Sequence, residues 1–412
     1  MSELNQKLNV LVLGSGAREH SIALSISKSP LLNKLFLAQT GAFELGEIIE
    51  FRDFEDLAKK CVLKKINLAV VGPEEPLCEG IVDVFKKYKI PTIGVDKYFS
   101  RLESSKLFAK KFMQKHGIKT AEYQMFKNRS RNECGMTIFP IVIKADGLCK
   151  GKGVVAVHDE KKVGKIIEDL KKNFGKNAQT ILIEEFLQGE ECSLISLWDG
   201  KEFLHFPPAR DFKKLDNSKN APNTGGMGAF CPVLLNKKQQ TKLDEYKKQL
   251  QNALKKEKAG FAGFIYSGLI WAQKDKIWDW YVLEYNVRMG DPECQAILTH
   301  LNSDFLEILF KASKGKLKNL KPSYKKNTSA CLVIACSGYP QKPKDGEEIV
   351  LPEDKKIQVY FAGVEKKGEK LFSKGGRILS LCTNAKEPFS ILKEYAKTIK
   401  MKHKYFREDI AL

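Results

Sequence analysis

Short apolar runs alternate with amphipathic stretches over the first hundred residues of the chain. This pattern predicts strands over 9–13, 34–38 and 67–71, and helices over 21–28, 54–65 and 77–89. Alternating strands and helices imply an open parallel sheet with helices on both faces. The alternation is lost after Pro91-Thr-Ile-Gly94. We therefore expect an N-terminal α/β domain over residues 1–102.

The rest of the chain follows a different pattern, in which longer strands are separated by helices and loops. It predicts strands over 139–144, 181–183, 261–272, 277–284, 330–335, 359–363 and 377–382, and helices over 102–116, 237–258 and 390–399. We expect a central domain over residues 103–318 and a small C-terminal α+β domain over 319–412. The fold class is therefore mixed α/β and α+β. We see no independent chemistry in the C-terminal region.

The composition is that of a soluble globular protein, with 43% hydrophobic and 29% charged residues in a chain of 412. The longest apolar runs are too short to span a membrane, and the N-terminus lacks a signal-peptide pattern. The ten cysteines are scattered, with no C-x-x-C pair. We expect a cytoplasmic protein, because that compartment keeps thiols reduced.

The net charge of +20 raises the possibility of a nucleic-acid-binding protein. The lysines, however, are spread along the whole chain as short pairs such as Lys59-Lys60 and Lys171-Lys172. A lysine-rich solvated surface is the interpretation we favour, and we expect neither a nucleic-acid nor a membrane partner. Some of this charge would help to attract phosphorylated substrates.

The strongest chemical signal lies at the end of the strand predicted over 277–284. Alternate side chains of a strand share a face, so Glu284, Asn286 and Arg288 are expected to project together. Oxygen ligands suit Mg²⁺, and a guanidinium can bind a carboxylate or phosphate through two hydrogen bonds. Asp291 is expected to cap a helix that begins at Pro292. A polar strand face followed by a capped helix is the alternative interpretation.

A glycine turn, Gly14-Ser-Gly-Ala-Arg-Glu-His20, lies between the first strand and the first helix. This layout offers backbone N–H groups to an anion. The turn lacks the full dinucleotide-binding motif, because Glu19 occupies the position of the third glycine, and it is not a Walker A loop. The segment Gly72-Pro-Glu-Glu-Pro76 follows another strand, at the sheet edge where such folds bind ligands.

A glycine-rich loop, residues 145–154, follows the strand that ends in Lys144. Such a loop can cover a triphosphate with its backbone amides, while the lysine neutralises charge. Another apolar strand ends in Glu184-Glu-Phe-Leu187, where the phenylalanine and leucine can pack on a base. Glu185 or Glu191 could then bind ribose or amino groups. A single glycine-rich loop is weak evidence, but here it is coupled to this second strand.

A long polar segment includes Pro207-Pro-Ala-Arg-Asp-Phe-Lys-Lys214 and Asn223-Thr-Gly-Gly-Met-Gly228. A surface loop without function is one interpretation. Long loops in compact proteins are more often functional, and closely spaced glycines suit the approach of backbone to a phosphate.

Taken together, these motifs resemble the phosphoribosylamine–glycine ligase family, a group of ATP-grasp enzymes in purine biosynthesis. The segments that carry the resemblance lie in the family's order along nearly the whole chain: Gly14-x-Gly-x-Arg-Glu-His20, Gly72-Pro-Glu-x-Pro-Leu77, Ile143-Lys-Ala-Asp-Gly-Leu148, Gly151-Lys-Gly-Val154, Glu184-Glu-Phe-Leu187, Asn223-Thr-Gly-Gly-Met-Gly228 and Asn286-x-Arg-x-Gly-Asp-Pro-Glu293. The last two are specific to the family, whereas the lysine and glycine-loop features are shared by ATP-grasp enzymes.

The resemblance implies a central ATP-grasp fold and an ATP-dependent carbon–nitrogen ligase. Such an enzyme joins glycine to 5-phosphoribosylamine through a glycyl phosphate intermediate, and yields glycinamide ribonucleotide, ADP and phosphate. The implied cofactors are ATP and Mg²⁺ or Mn²⁺. We expect a monomer with small-molecule substrates.

Carried onto this sequence, the resemblance implies three groups of site residues. The ATP site would comprise Lys106, Lys144, Gly151, Lys152, Gly153, Glu184, Glu185, Phe186, Leu187, Glu191, Lys214 and Asn223. The metal ion would be held by Glu284 and Asn286. Glycine and phosphoribosylamine would be handled by Arg288, Asp291 and Asp211 as catalytic residues, and bound by Arg18, Glu74, Gly225, Gly226, Gly228 and Gly290.

The sequence departs from the family pattern at three places. Cys149-Lys150 replaces two alanines of the glycine loop, and Arg210-Asp-Phe-Lys-Lys214 replaces Gln-Asp-His-Lys-Arg. The segment Ala38-Gln-Thr-Gly41 lacks a longer Pro-Gly-Asn form. None of these changes removes a predicted metal ligand. Two alternatives stay open here: another ATP-grasp ligase or carboxylase, and a basic nucleic-acid-binding protein on a nucleotide fold.

Overall fold

The computed structural model describes residues 7–39, 41–126, 139–149, 152–218 and 221–411. The chain opens with a five-stranded parallel sheet of order β3-β2-β1-β4-β5. Its elements are β1 (Leu8–Leu13), α1 (Ala17–Ser27), β2 (Leu32–Ala38), β3 (Glu47–Ile48), α2 (Phe54–Leu63), β4 (Leu68–Val71), α3 (Glu74–Glu79), α4 (Ile81–Lys87) and β5 (Thr92–Ile93).

Helices cover both faces of this sheet, which confirms the prediction. Val10 and Leu11 are neighbours on β1, so their side chains point to opposite faces. Val10 packs with Ile22 of α1, whereas Leu11 packs with Leu57 of α2 and Phe85 of α4.

The single helix predicted over 77–89 is two helices, α3 and α4. Gly80 lies between them with φ of 99°, a left-handed conformation that ends α3. Because α3 begins at Glu74, that carboxylate lies in the first turn of a helix at the carboxyl edge of the sheet.

A small lobe follows, built on an antiparallel sheet of order β6-β9-β7-β8. The elements of this part of the chain are α5 (Arg101–Ser104), α6 (Lys106–Lys115), β6 (Tyr123–Met125), β7 (Ile141–Ala145), β8 (Val154–Val157), a 3-10 turn (Glu160–Lys162), α7 (Val163–Phe174), a second 3-10 turn (Gly175–Ala178) and β9 (Ile181–Glu185). Ile143 and Ile183 pack against Ile167 of α7. By strand alternation, Lys144 and Glu184 point to the opposite face.

A larger lobe has the antiparallel sheet β11-β10-β14-β15. The elements of this part of the chain are β10 (Gly189–Trp198), β11 (Phe203–His205), β12 (Arg210–Asp211), β13 (Gly228–Cys231), α8 (Lys237–Lys256), β14 (Gly263–Lys274), β15 (Ile277–Asn286), α9 (Glu293–His300) and α10 (Phe305–Ser313). The backbone N–H of Gly94 donates to Ala262 just before β14, which joins this lobe to the parallel sheet.

The C-terminal region forms a six-stranded sheet that includes two strands from earlier in the chain. Its elements are β16 (Thr328–Cys336), β17 (Glu348–Ile349), β18 (Gln358–Phe361), β19 (Val364–Lys367), β20 (Lys370–Ser373), β21 (Arg377–Ala385), α11 (Pro388–Thr398) and β22 (Lys404–Tyr405). The sheet order is β12-β13-β16-β21-β18, with β22 also pairing with β16. Because β13 pairs with β16, the polar segment around residues 210–231 is fixed to the C-terminal sheet.

The mixed α/β and α+β class predicted from the sequence is confirmed by these sheets. No helix within the described ranges is long and apolar enough to cross a membrane.

Candidate active site

A β-bulge near the end of β15 sets the direction of the predicted metal ligands. Val282 and Glu284 pair with neighbouring residues of β14, so Leu283 is an extra residue without a partner in the ladder. Val282 and Tyr285 both pack in the core beneath this sheet. Glu284 and Asn286 are therefore on the other side, where both are half-buried.

The carboxylate of Glu284 accepts no hydrogen bond from any described residue, and Asn286 Oδ1 accepts only a long one, 3.4 Å, from Arg288. A half-buried carboxylate beside a carboxamide oxygen is a donor set that fits a hard divalent cation. Within the described ranges, no three His, Cys, Asp or Glu side chains converge as a complete metal site. A cation here would need further oxygen ligands from substrate phosphates or water.

Asp211, the last residue of β12, and Lys213, just after this strand, lie close to Glu284. Lys213 Nζ lies 2.8 Å from a carboxylate oxygen of Glu191 and 3.6 Å from Asp211. Burial raises the pKa of Asp211 to about 7; Lys213 opposes this, whereas Glu293, Glu191 and Glu284 add to it. Burial would lower the pKa of Lys213, but the carboxylates, Asp211 first, raise it well above its usual value.

The resemblance assigned Lys214, the residue after Lys213, to the ATP site, but the structure places this lysine differently from Lys213. Its side chain is exposed, and its backbone forms an isolated bridge with Asn223, which is exposed as well. Lys213 is therefore the lysine of this pair that faces the cleft.

The Gly290-Asp-Pro-Glu293 turn differs from the prediction at its cap. Helix α9 begins at Glu293 with Pro292 at the N-cap, and Asp291 does not cap it. Instead, Asp291 accepts hydrogen bonds from Arg377 Nη2 at 2.8 Å and from Gln295 at 2.7 Å. Because Pro292 and not Asp291 occupies the N-cap, the Asp291 carboxylate is not used by the helix and pairs with Arg377.

Glu293, which was not assigned a role from the sequence, is buried beside this turn. Its Oε1 accepts from Ser193 Oγ at 2.9 Å, and Ser193 also contacts Tyr266 OH at 3.0 Å. A Cβ at Gly290 would lie 2.5 Å from Glu293 Oε2, so only glycine leaves room for this carboxylate. Packing against the Glu293 side chain therefore explains why a glycine occupies position 290.

Arg288 lies between two carboxylates. It contacts Glu74 at 3.2 Å and Glu103 at 2.9 Å, and it donates to Met289 O at 3.2 Å. With the contact to Asn286, about four of its five N–H donors are used. Burial alone would raise the pKa of Glu74, but Arg288 and Arg18 lower it to about 2. Burial raises the pKa of Glu103 to about 7 although Arg288 opposes it.

Glu19 explains why the glycine turn departs from the dinucleotide-binding motif. Its Oε2 accepts from Gly16 N at 2.9 Å, and its Oε1 accepts from Arg18 Nε at 2.6 Å. Its side chain fills the space beside Gly14 and Gly72, where an added Cβ would lie 2.4 and 2.2 Å from it. Because Glu19 binds Gly16 N, that amide is not available to an anion, which revises the prediction for this turn.

Replacing Gly72 by alanine is expected to destabilise the fold by about 1–3 kcal/mol, because the new methyl group would overlap the buried Glu19 side chain. Gly164 is the matched control, since a Cβ there meets nothing within 4 Å in α7. Gly164→Ala should stabilise the protein by about 0.5–1 kcal/mol. Urea unfolding of both variants measures the difference; equal stabilities would contradict the assigned packing of Glu19.

Arg377 of β21 joins the C-terminal sheet to this cluster. Its Nη1 donates to Gly225 O at 2.5 Å and Asp291 O at 2.8 Å, while Nη2 binds the Asp291 carboxylate. Gly226, with φ of 106°, lies against Pro292, so this glycine segment touches the α9 turn. The C-terminal region, in which we see no independent chemistry, thus contributes a charged group that contacts the glycine segment and the α9 turn.

The third predicted glycine of this segment has a packing position. Gly228 is buried in β13, where an added Cβ would lie 2.8 Å from Cys331 O of the neighbouring strand. It does not line the cleft, whereas Gly225 is exposed and its N–H donates to Tyr339 OH at 3.0 Å.

The predicted nucleotide side lies in the small lobe. Lys106 Nζ donates to Gly147 O at 2.7 Å, and Lys144 Nζ donates at 2.9 Å to the carbonyl of the bulged residue Leu283. Lys152 Nζ reaches Pro340 O at 3.1 Å. Gly153 leaves space for Cys149, since an added Cβ would lie 2.7 Å from its Cβ. Gly151 lies outside the described residues.

The residues predicted to contact adenosine lie at the end of β9 and just after it, and they point to two different sides. Glu184 is buried and lies 2.9 Å from Lys144 Nζ, whereas Glu185 accepts from Glu122 N at 2.8 Å. Phe186 is 39% exposed, and Leu187 packs near Leu283 at the edge of the cleft. An exposed aromatic ring beside a leucine is available to pack on a base.

The structure therefore brings predicted residues of the small lobe, the large lobe and the segment around Asp211 close to one another, and we call the space that they border the cleft. Lys144 and Glu184 of the small lobe contact each other, and Lys144 also binds the carbonyl next to Glu284 on β15. The unpaired carboxylate of Glu284 is close enough to Lys213 to raise the pKa of that lysine. Such a cleft can neutralise phosphates and align a nucleophile, which is what phosphoryl transfer requires. The sequence reasoning missed Glu103, Lys213, Glu293 and Arg377, although Glu293 and Lys213 stand within the quoted motifs.

Three family models match the chain in order. They are described as phosphoribosylglycinamide synthetase N domain over residues 8–103, ATP-grasp (A) domain over 104–294, and C domain over 329–412.

Relatives with similar sequences match the chain over nearly its full length. The chain is 37% identical to the phosphoribosylamine–glycine ligase of Fusobacterium nucleatum, covering 98% of each chain. It is also 37% identical to the protein of that name from Caldanaerobacter subterraneus, over 98% of this chain and 99% of the relative. The crystal structure of phosphoribosylamine–glycine ligase from Thermotoga maritima superposes with a TM-score of 0.83 at 32% identity, over 98% of this chain and 100% of that one.

Proposed function

Because this chain belongs to the phosphoribosylglycinamide synthetase family, whose relatives are named phosphoribosylamine–glycine ligase, we propose that it catalyses the ATP-dependent ligation of glycine to 5-phosphoribosylamine. The product would be glycinamide ribonucleotide, with ADP and phosphate released. The observation that carries the assignment to this cleft is the unpaired carboxylate of Glu284, which lies next to the Leu283 carbonyl that Lys144 binds and close to the ammonium group of Lys213.

ATP would bind between the small and large lobes. Lys106 and Lys144 would neutralise its phosphates, Lys213 would do so from the opposite wall, and Phe186 and Leu187 would pack on the base. The loop around Lys152 and Gly153 would cover the phosphates, and Glu185 and Glu191 would contribute polar contacts to the adenosine. Glu284 and Asn286 would hold Mg²⁺ or Mn²⁺, which when bound supplies charge neutralisation at the phosphates.

The reaction would proceed in two displacements. The carboxylate oxygen of glycine attacks the γ-phosphorus of ATP, the bond to the β-phosphate oxygen breaks, and ADP leaves. The amine of phosphoribosylamine then attacks the carbonyl carbon of glycyl phosphate, phosphate leaves, and the amine loses a proton. Positioning and charge neutralisation are sufficient for both steps, so no covalent enzyme nucleophile is needed.

The co-substrates would occupy the part of the cleft bounded by Arg288, Asp291 and Asp211. Asp211 lies beside Glu284 and would contact glycine, whose ammonium group suits a carboxylate. Arg18 and Arg377 supply the positive charge that the phosphate of phosphoribosylamine needs. Glu74 would act by holding Arg288 in place, since the two are already paired.

An assay of phosphate release tests this proposal directly. Release should require Mg²⁺, glycine and freshly made phosphoribosylamine together, because the first displacement needs glycine and the second needs the amine. Mass spectrometry should detect glycinamide ribonucleotide only in the complete mixture. Formation of ADP at an equal rate without glycine would rule out the proposed ligation.

The alternative of another ATP-grasp carboxylase has less support. Structures of biotin carboxylases share the fold at 15% identity, which carries no argument about substrate. A monomeric state and a cytoplasmic location stay predictions from the sequence.

A further inference from the structure

Lys110, on α6, is a fully buried lysine that the sequence reasoning did not single out. It is 2% exposed, beneath the wall of the cleft that carries Lys144. Its Nζ donates to Thr120 Oγ1 at 2.9 Å and to Ala121 O at 3.0 Å, and lies 2.9 Å from Glu184 Oε2. An ammonium group has three N–H donors, so Lys110 has none left for a ligand.

Lys144 makes the same contact to Glu184, but its ammonium group uses fewer of its N–H donors than that of Lys110. Its Nζ lies 2.9 Å from Glu184 Oε2 and 2.9 Å from Leu283 O. In the part of the chain that the structure describes, it has no third acceptor. Lys144 therefore keeps one N–H for a ligand, whereas Lys110 does not.

Glu184 is the anion shared by both lysines. Both ammonium groups contact its Oε2, while its Oε1 is buried and accepts no hydrogen bond from a described residue. Two ammonium groups and one carboxylate give the cluster a net charge of about +1. Glu185 acts on Lys110, and Glu191 on Lys144, only from a distance, because these carboxylates pair with Lys274 and Lys213. A buried positive charge without a further counter-ion in contact is costly unless an anion approaches it.

We propose that Lys110 is a positioning residue for ATP, which acts through Glu184 by compensating its charge so that Lys144 keeps a full positive charge for a phosphate. This inference rests on the proposed function only in taking ATP as the ligand of the cleft. Without Lys110, the negative charge of Glu184 would cancel the positive charge of Lys144, and the cluster would be neutral. Loss of one unit charge within several Å of a phosphate weakens binding substantially in a partly buried site.

The test is a comparison of ATP-analogue binding at pH 7 by calorimetry. Burial lowers the pKa of Lys110 to about 8, with Glu184 opposing this, so the ammonium is charged at that pH. Lys110→Met should raise the Kd of a non-hydrolysable ATP analogue with Mg²⁺ roughly 10- to 100-fold. Lys111→Met is the matched control, because Lys111 is the next residue of α6 and is exposed; its Kd should equal that of the unmodified protein.

A double variant distinguishes action through Glu184 from the other possible roles. Lys110→Met combined with Glu184→Gln restores the net charge of about +1, because Lys144 then faces a neutral amide. The Kd should return to within a few-fold of the original, a strong coupling between the two positions. A double variant that binds as weakly as Lys110→Met would overturn the proposal, as would normal binding by Lys110→Met. Should Lys110→Met fail to fold, Lys110→Gln removes the same charge while keeping a hydrogen-bond donor.

The Lys110 test and the test of the proposed function can fail independently of each other. Binding of the nucleotide analogue is measured without glycine or phosphoribosylamine, and the ligation assay is run in parallel on the unmodified protein. If that protein binds the analogue but makes no glycinamide ribonucleotide, the ligase assignment fails while the Lys110 cycle still reports on the nucleotide site. If it ligates normally and Lys110→Met binds normally, only the positioning role fails.

Discussion

Replacing Glu284 by glutamine is expected to lower turnover by about 10²-fold or more while the protein stays folded. The amide keeps the size of the side chain but removes the negative charge that would hold a divalent cation at the phosphates. Loss of one strong electrostatic contact to the transition state has an effect of this size. Folding should survive, because Glu284 is half-buried and accepts no hydrogen bond from a described residue.

Measuring turnover and the thermal midpoint on the same preparation separates catalysis from stability. Asp279→Asn is the matched control on β15, because Asp279 pairs with Lys119 at 2.5 Å at the other end of the strand. That change should affect stability with turnover per folded molecule unchanged. An active Glu284→Gln enzyme with the original Mg²⁺ dependence would contradict the assignment of Glu284 to the metal.

The direction of Glu284 could be predicted only in part. Alternation among Glu284, Asn286 and Arg288 was visible, and the first two do lie on one side of β15. Alternation counted from Val282, which packs in the core, would have put Glu284 in the core as well. The bulge at Leu283 resolves this conflict, and no residue type in the strand marks its position. The bulge also leaves the Leu283 carbonyl available to Lys144. This contact joins the two lobes, so it cannot be predicted from the sequence of a single strand.

Local patterns predicted β1, β2 and β4 of the parallel sheet well because each of these strands contains a short apolar run, whereas β3 is only the two exposed residues Glu47 and Ile48 and was not predicted. They could not choose between Lys213 and Lys214, which are adjacent and chemically identical; pairing of the next backbone segment with Asn223 decides which one faces the cleft. Gly80 is a different case, since a glycine in the middle of a helical pattern is a signal that was available for the break between α3 and α4.

Arg377 was missed because its role depends on strand pairing over a long sequence distance. The segment that carries Gly225 and Gly226 joins β16 through β13, and β21 pairs with β16 on the other side. That arrangement brings an arginine of the C-terminal sheet to Asp291, and both side chains are about one-fifth exposed, at 21% and 19%.

Arg377→Met is accordingly expected to lower kcat/KM for phosphoribosylamine by about 10²-fold, with much less effect on nucleotide binding. The variant leaves the Asp291 carboxylate without its guanidinium and releases the Gly225 carbonyl, so the proposed co-substrate site loses an electrostatic contact, and loss of one such contact to the transition state lowers the rate by about 10²-fold. The proposed phosphate site would also lose one of its two cations.

Steady-state kinetics with phosphoribosylamine varied, together with calorimetry of an ATP analogue, test this expectation. The Kd of the analogue should change less than about threefold, because Lys144 and Glu184 lie in the small lobe, away from the Arg377 pair. Lys374→Met is the matched control from the same segment; its ammonium group pairs with Glu365 at 3.3 Å on the surface, so both constants should stay unchanged. If Arg377→Met weakened the nucleotide and phosphoribosylamine equally, the arginine would serve the stability of the whole cleft, and its assignment to the co-substrate would be wrong.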